Sequence, residues 1–335
     1  MISPRCHYSP DSVIPLSGPQ RQTRNRLLHQ LLSGTVTLQP ASCLCGESGG
    51  TLLAERDRWG LPVSTVLCTR CALVRTSPRL PDSYLPAFYE HDYRLLMDGI
   101  SSPTPAAFEL QQRRGREAME CLVATGPVGP GTRVYEIGCS AGGVLQPFLQ
   151  AGCTVAGSDY DVRFLANARS LGIETRHGGW ETLKDLPAPD VILLSHVVEH
   201  LNDPIDFVRS VASLLKPGGR LFVAVPGLDA IADDYCGDLV RYLQICHTFH
   251  FTRRTLLQTL RSAGLTPVHA DDTIRSVSVT PPATAAGLPQ EPEDPQALQT
   301  RLIALEEAFL NRESQPLRRA RRIAGGIKRI VTSSC

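Results

Sequence analysis

The sequence predicts an α/β protein built on a doubly wound, mainly parallel sheet, with smaller additions before and after it. Three observations carry this reading. From Arg133 onward, short apolar runs alternate with amphipathic stretches at the spacing of repeated strand–helix units. The first run opens into a glycine-rich turn, EIGCSAGG (136–143), and the second ends at an acidic residue, Asp159. Ahead of this pattern, two close pairs of cysteines interrupt a stretch with little helical or strand periodicity.

Taken in order, residues 1–40 are rich in Pro, Ser and Arg, with a short helix predicted in RQTRNRLLHQLLSG and closed by Gly34. Residues 41–95 hold the cysteine pairs and a Tyr-rich stretch, PDSYLPAFYEHDYRL. A polar helix over 105–124 and the turn GPVGPG lead into the core, which is predicted to span 105–280. There RVYEIG is a buried strand and 143–151 a helix. TVAGSD is the second strand, 162–171 a helix, and IETRHG the third strand. DVILLS is the fourth, followed by a helix over 204–215 with Pro204 in its first turn. KPGG turns into RLFVAVP, a helix covers 252–263, and PVHADD and SVSVTPP are the last two strands. Within the final segment, 281–335, residues 281–295 read as a Pro-rich linker. Leu298, Leu302, Leu305 and Phe309 then share one helical face, and the end, RRARRIAGGIKRIVTSSC, is basic.

The chain has 335 residues and a formal net charge of +1, which gives no reason to expect a nucleic-acid partner. No run approaches the roughly 18–20 apolar residues of a membrane span, and the first residues lack the apolar core of a secretory leader. A cytoplasmic protein is the expectation.

In an open α/β sheet, ligands sit beyond the carboxyl ends of the strands, near the first strand–helix turn. Gly138 and Gly142 let the backbone of that turn bend sharply and approach a ligand. A carboxylate at Asp159 suits the two hydroxyls of a ribose. The turn lacks the G-x-G-x-x-G spacing that seats a pyrophosphate on a helix N-terminus. Glu136 inside it would repel a pyrophosphate but attract a cationic methionine amine. Both points favour S-adenosylmethionine over a dinucleotide.

RVYEIGCSAGG, Asp159, SHVVEHLNDP, LLKPGGRLFVAVPG and HTFHFTRRTLLQTLRSAGL together resemble the class I S-adenosylmethionine-dependent methyltransferases, over about 133–280. The likeness is to the group acting on sugars and small metabolites. It implies a Rossmann-like seven-stranded sheet. It also implies that Glu136, Gly138 and Gly142 meet the methionine and ribose side of the donor and that Asp159 binds the ribose. Ser140 stands where many members have Gly. Trp180 and Glu181 are the candidates for the adenine, where many members place an acidic residue; a large rim residue is the plainer reading of Trp180. Cys139, Tyr160 and His196 complete the expected donor contacts.

Methyl transfer mainly requires alignment of donor and acceptor, and an acceptor hydroxyl also needs a base. His196, directly after the fourth strand, is the first candidate; His200 and His250 are the others. Glu199 and His247 accompany them, and each of these residues has an alternative reading as structural packing. Tyr89 and Tyr93 are resemblance-based candidates for a cover over the donor. No D/N-P-P-Y/F motif follows the fourth strand, which argues against amino-methylation of DNA bases.

Cys68-Thr-Arg-Cys71 has the spacing of a knuckle that closes on one tetrahedral ion, and Cys43-Leu-Cys45 is one residue tighter. Cys43, Cys45, Cys68 and Cys71 are therefore the candidate ligands of a structural Zn2+, with the residues between the pairs forming the hairpin of a zinc ribbon. This segment resembles the N-terminal zinc module of many sugar and metabolite methyltransferases. The alternative is reduced cysteines packed as small apolar residues. The helix over 298–310 either packs on its own core or pairs with a second copy as a homodimer. The leading functional reading is methyl transfer from S-adenosylmethionine to a small-molecule, sugar or glycan acceptor, to oxygen before carbon. An RNA methyltransferase and an inactive zinc-containing binding protein are the alternatives.

Overall fold

The structure, a computed structural model, describes residues 1–281 and 286–313. In chain order the strands are β1 (Thr51–Ala54), β2 (Thr65–Leu67), β3 (Val74–Thr76), β4 (Arg133–Ile137), β5 (Thr154–Asp159), β6 (Glu174–His177), β7 (Val191–Ser195), β8 (Arg220–Ala224), β9 (Phe249–His250), β10 (Thr266–Ala270) and β11 (Arg275–Val279). The helices are α1 (Gly18–Leu32), α2 (Leu85–Ala87), α3 (Tyr93–Met97), α4 (Pro105–Val123), α5 (Gln146–Gln150), α6 (Val162–Ser170), α7 (Pro204–Ala212), α8 (Ile231–Asp234), α9 (Leu239–Tyr242), α10 (Arg253–Ser262) and α11 (Pro295–Glu313). Among the described residues no helix is long and apolar enough to cross a membrane.

These elements form two compact units. The first takes Met1–Pro81, Gly227–Thr252 and the chain from Pro292; the second takes Asp82–Pro226 and Arg253–Glu291. The units cut across the segments expected from sequence. Residues 227–252, expected within 105–280, join the first unit, and residues 82–95, expected with the cysteine module, join the second. The reason is strand pairing: β9 lies antiparallel to β3, with His250 opposite Val74 and Phe249 opposite Arg75.

The second unit is built on a seven-stranded sheet of order β10-β11-β8-β7-β4-β5-β6. β8, β7, β4, β5 and β6 are parallel, and β11 runs antiparallel to both of its neighbours. The strands are short apolar runs because helices cover both faces, so neither face needs polar side chains. Val134, Leu193, Phe222 and Val277 of the strands meet Ala118, Leu122, Phe148 and Leu165 of the helices in one core. Burying a side chain such as Phe148 or Phe222 contributes about 1.5–3 kcal/mol. The helix expected over 143–151 begins later, at Gln146, because the turn before it is wound tightly. Gly142 has φ +82°, and a Cβ there would lie 2.7 Å from Ile173 Cδ1 and 2.9 Å from Ala168 Cβ. α7 starts as expected, with Pro204 in its first turn and the Asp203 carboxylate accepting from the Asp206 amide at 3.1 Å.

In the first unit, β1, β2, β3 and β9 form an antiparallel sheet. Its core joins Ile2 and Cys6 to Leu53, Val74, Leu239, Tyr242, Leu298 and Leu302. Leu298, Leu302 and Phe309 of α11 are buried in this unit, so the apolar face considered for a second copy is already covered. On the same helix, buried Glu306 accepts from Ser3 Oγ at 2.9 Å and from Arg5 at 3.0 Å. The basic stretch RRARRIAGGIKRIVTSSC lies outside the described residues.

Candidate active site and candidate metal centre

The glycine turn at the end of β4 is held by its neighbour. The amides of Gly138 and Cys139 both donate to the Ser158 carbonyl, at 2.8 and 3.0 Å. Gly138, Ser140 and Gly142 adopt φ of +77°, +51° and +82°. Asp159, at the end of β5, accepts from the Ser140 amide through one oxygen and from the Asp161 amide through the other, each at 2.8 Å. The carboxylate is thereby fixed against the turn.

This turn forms one wall of a cavity of about 500 Å³, within the size range of small-molecule sites. Glu136, Gly138, Cys139, Asp159, Tyr160, Trp180, Glu181, His196 and His200 all line it. Gly142 does not line it; its missing side chain serves close packing on Ile173 and Ala168. His250 is not among the lining residues either. It sits on β9 in the small sheet, 1% exposed, with Nε2 3.3 Å from Thr76 Oγ1, and burial lowers its pKa to about 3. Such a ring is held neutral by its surroundings.

Glu136 is 2% exposed, and its Oε2 has no hydrogen-bond partner. Burial, reinforced by the negative charge of Asp159, holds its pKa well above the ordinary carboxylate value; Arg114 opposes the shift. A buried acceptor without a partner beside a cavity is a place for a cationic or hydrogen-bond-donating ligand group.

His196 follows the end of β7, the strand beside β4, with φ +57°, its amide donating to the Ala224 carbonyl at 2.8 Å. Its Nδ1 lies 3.4 Å from Glu199 Oε1, and His200 Nε2 lies 3.7 Å from the same oxygen. Glu199 is 1% exposed, and burial raises its pKa, a shift opposed by its neighbours His200 and Arg114. His200 also meets the rings of Tyr89 and Tyr93 edge-on, with centroids at 5.9 and 5.5 Å. Tyr89 lies within a π-helical turn, Phe88–Asp92, Tyr93 follows it directly, and both line the cavity. π-turns are rare and concentrate at functional sites.

The structure also brings in residues that sequence reasoning passed over: Arg94, Gln111, Arg114, Asp161 and Phe207. No local motif marks Arg94, Gln111 or Arg114, which lie upstream of the sheet and arrive by packing. Asp161 carried a readable signal, since its side chain caps α6 by accepting from the Arg163 amide at 3.0 Å.

In the first unit the four expected cysteines converge, with all four sulfurs within 4.8 Å of one another. Cys43 Sγ lies 3.4 Å from Cys71 Sγ, and Cys45 Sγ 3.6 Å from Cys68 Sγ. Sulfurs on a tetrahedron around one Zn2+ would be separated by roughly 3.8 Å, given a Zn–S bond near 2.3 Å, so the donor set fits one such ion. Hydrogen bonding from the Cys71 thiol pulls Cys43 down to about 5 and pushes Cys71 up. Between the two pairs, β1 and β2 form an antiparallel hairpin, as a ribbon requires.

Residues 96–270 match the family model described as a methyltransferase domain, more than half of the chain. The chain belongs to this methyltransferase family. The strand order of the large sheet, with its single reversed strand β11, is that of a class I S-adenosylmethionine-dependent methyltransferase domain. A relative similar to it in sequence is a ubiquinone biosynthesis O-methyltransferase of Ruegeria pomeroyi, 33% identical over 152 residues, 41% of this chain and 61% of the relative. The protein of the same name from Pelagibacter ubique is 34% identical over 98 residues, 28% of this chain and 41% of the relative. The chain thus spans about three fifths or less of these relatives' length. Among solved structures, human N-acetylserotonin methyltransferase with S-adenosylmethionine is 19% identical, with a TM-score of 0.46 over 60% of each chain. The Burkholderia thailandensis 1,6-didemethyltoxoflavin-N1-methyltransferase is 17% identical, with a TM-score of 0.44 over 64% of this chain and 97% of that one.

Proposed function

We propose that this protein transfers a methyl group from S-adenosylmethionine to a hydroxyl oxygen of a small-molecule acceptor. The observation that carries the reading is the shared cavity, which is lined by the glycine turn, by Asp159 and Glu136, whose Oε2 has no hydrogen-bond partner, and by His196 and His200, both turned to Glu199. Asp159 would hold the ribose hydroxyls, and Glu136 would meet the methionine ammonium directly or through water. Trp180, Tyr160 and Glu181 would border the adenine. The donor, when bound, supplies an electrophilic methyl on a sulfonium, and the chain's own work is alignment and proton removal. His196, with Nδ1 turned to Glu199, is suited to take the acceptor's proton at Nε2. The name of the relatives, which are O-methyltransferases, supports oxygen as the methylated atom and a small molecule as the acceptor. A sugar hydroxyl is a member of the same acceptor class.

The cysteine cluster would hold one Zn2+ in a structural role, because four thiolates leave no open coordination position for a reaction.

Calorimetric titration with S-adenosylmethionine, S-adenosylhomocysteine and NAD tests the donor. Saturable binding of the two sulfur compounds without NAD is expected, followed by donor-dependent methylation in a screen of phenolic and sugar hydroxyls. Failure of both sulfur compounds to bind would overturn the reading.

A further inference from the structure

Ser140 has two unusual properties at once. It holds φ +51° without being glycine, a backbone state that costs strain for any side chain. Its hydroxyl also gathers two donors from upstream: Arg94 Nη2 at 2.7 Å and Gln111 Nε2 at 3.2 Å. Its amide meanwhile donates to Asp159 at 2.8 Å. One residue therefore touches the ribose-side carboxylate through its backbone and two upstream helices through its side chain.

The two upstream helices are anchored differently. α4 lies directly on the backbone after the glycine turn. A Cβ at Gly115 would meet the Val144 carbonyl oxygen at 2.3 Å, and one at Gly143 would meet Gln111 Cβ at 2.5 Å. The Gly143 amide donates to Gln111 Oε1 at 3.2 Å. Residues 85–97, by contrast, consist of two short helices around the π-turn, and they carry Tyr89 and Tyr93 into the cavity. Arg94 gives them a polar link to the glycine turn, with its guanidinium also 4.3 Å from the centre of the Phe164 ring on α6.

We infer that Ser140 is a positioning residue that ties residues 85–97 to the donor side of the cavity, so that donor binding and the ordering of Tyr89 and Tyr93 are coupled. The coupling rests on the donor reading above. Its physical basis is mutual: a ligand that stiffens the glycine turn fixes the hydroxyl that Arg94 binds, and a docked Arg94 stiffens the turn before the ligand arrives. A glycine at 140 would relax the backbone but leave Arg94 and Gln111 without their shared acceptor.

The test is hydrogen exchange on the full-length protein, with and without S-adenosylhomocysteine, for the native chain, Ser140→Ala and Ser140→Gly. Loss of a hydrogen bond to a charged donor predicts exchange about 10- to 100-fold faster in residues 85–97 of either ligand-free variant. α4 should change little in either, because it loses only the neutral Gln111 hydrogen bond and keeps the packing of Gly115 on Val144 and the bond from the Gly143 amide to Gln111. S-adenosylhomocysteine should slow exchange in 85–97 of the native chain but not of the variants, and its Kd should rise about tenfold or more in both. Ser140→Gly should melt no lower than Ser140→Ala, which separates the lost hydroxyl from backbone strain. Equal loosening of α4 and 85–97 would show general destabilisation and overturn the inference. So would unchanged exchange of 85–97 in the ligand-free variants. If the native chain binds no S-adenosylhomocysteine, the donor reading fails and the coupling falls with it. If the native chain binds but the variants bind equally well, the coupling alone fails.

Discussion

Glu136 and Asp159 belong to adjacent parallel strands, yet their surroundings differ sharply. Asp159 has a backbone amide on each oxygen, whereas Glu136 has an oxygen with none. Replacing Asp159 by Ala should weaken donor binding by about 1–3 kcal/mol, the range for a lost hydrogen bond to a charged group; calorimetry reads this directly. For Glu136 the sign follows from burial. A raised carboxyl pKa means that the fold favours the protonated form. The contribution is complete below the unfolded value and is lost as pH rises through the folded one. Glu136→Gln should therefore melt higher than the native protein, by a margin that widens from pH 4 to pH 8. If the carboxylate meets the donor's ammonium, donor binding should release a proton, and titrations in buffers of different ionisation enthalpy should show that release vanish in Glu136→Gln. His196→Ala is expected to lower kcat by about 10²- to 10⁴-fold, the usual worth of a general base.

At the scale of elements, the cysteine pairs and the hairpin between them act as one device. Gly46 at φ +85° turns the first pair, and the Ala72 amide donating to the Cys68 carbonyl at 3.1 Å turns the second. Arg75, 1% exposed, braces the chain on both sides of the first pair by donating to the carbonyls of Ala41, Ser48 and Gly49 at 2.9, 2.7 and 2.9 Å. Strands of three or four residues have little stability of their own, so a bound ion should carry much of this sheet. One equivalent of zinc is expected by elemental analysis of the native protein. Cys68→Ser should lose it and lower the first melting transition. Zinc-free native protein with an unchanged melt would remove the metal from the account.

For the whole molecule, the first unit is assembled from three separated stretches of chain, including both the beginning and α11. Leu302 is 2% exposed in a core shared with Ile2, Leu53 and Leu239. Leu302→Ala should cost about 2–5 kcal/mol, read by denaturant unfolding. A change below about 0.5 kcal/mol, as for an exposed site, would mean that α11 does not pack there in solution.

The seven strands of the large sheet, the turn 136–143 and Asp159 were readable because each rests on a local rule: apolar runs buried on both faces, glycine where φ is positive, and an acid ending the second strand. The cysteine spacing was equally local. His196 and His200 could be placed beside the fourth strand, but their relation to Glu199 depends on a backbone turn that no pattern encodes. Gly142 is expected at the site for the sharp turn it allows, and His250 for its place just before α10; packing sets the first against Ala168 and Ile173 and the second in the small sheet. Arg94, Gln111 and Arg114 were invisible because a single polar residue on an upstream helix carries no sign of what it will face. By itself the sequence determined the kind of sheet, the glycine turn and the grouping of the four cysteines, since these depend on the order and spacing of neighbouring residues. Only the tertiary structure decided which distant side chains close the cavity and which strand completes the small sheet, because those depend on contacts between residues far apart in the chain.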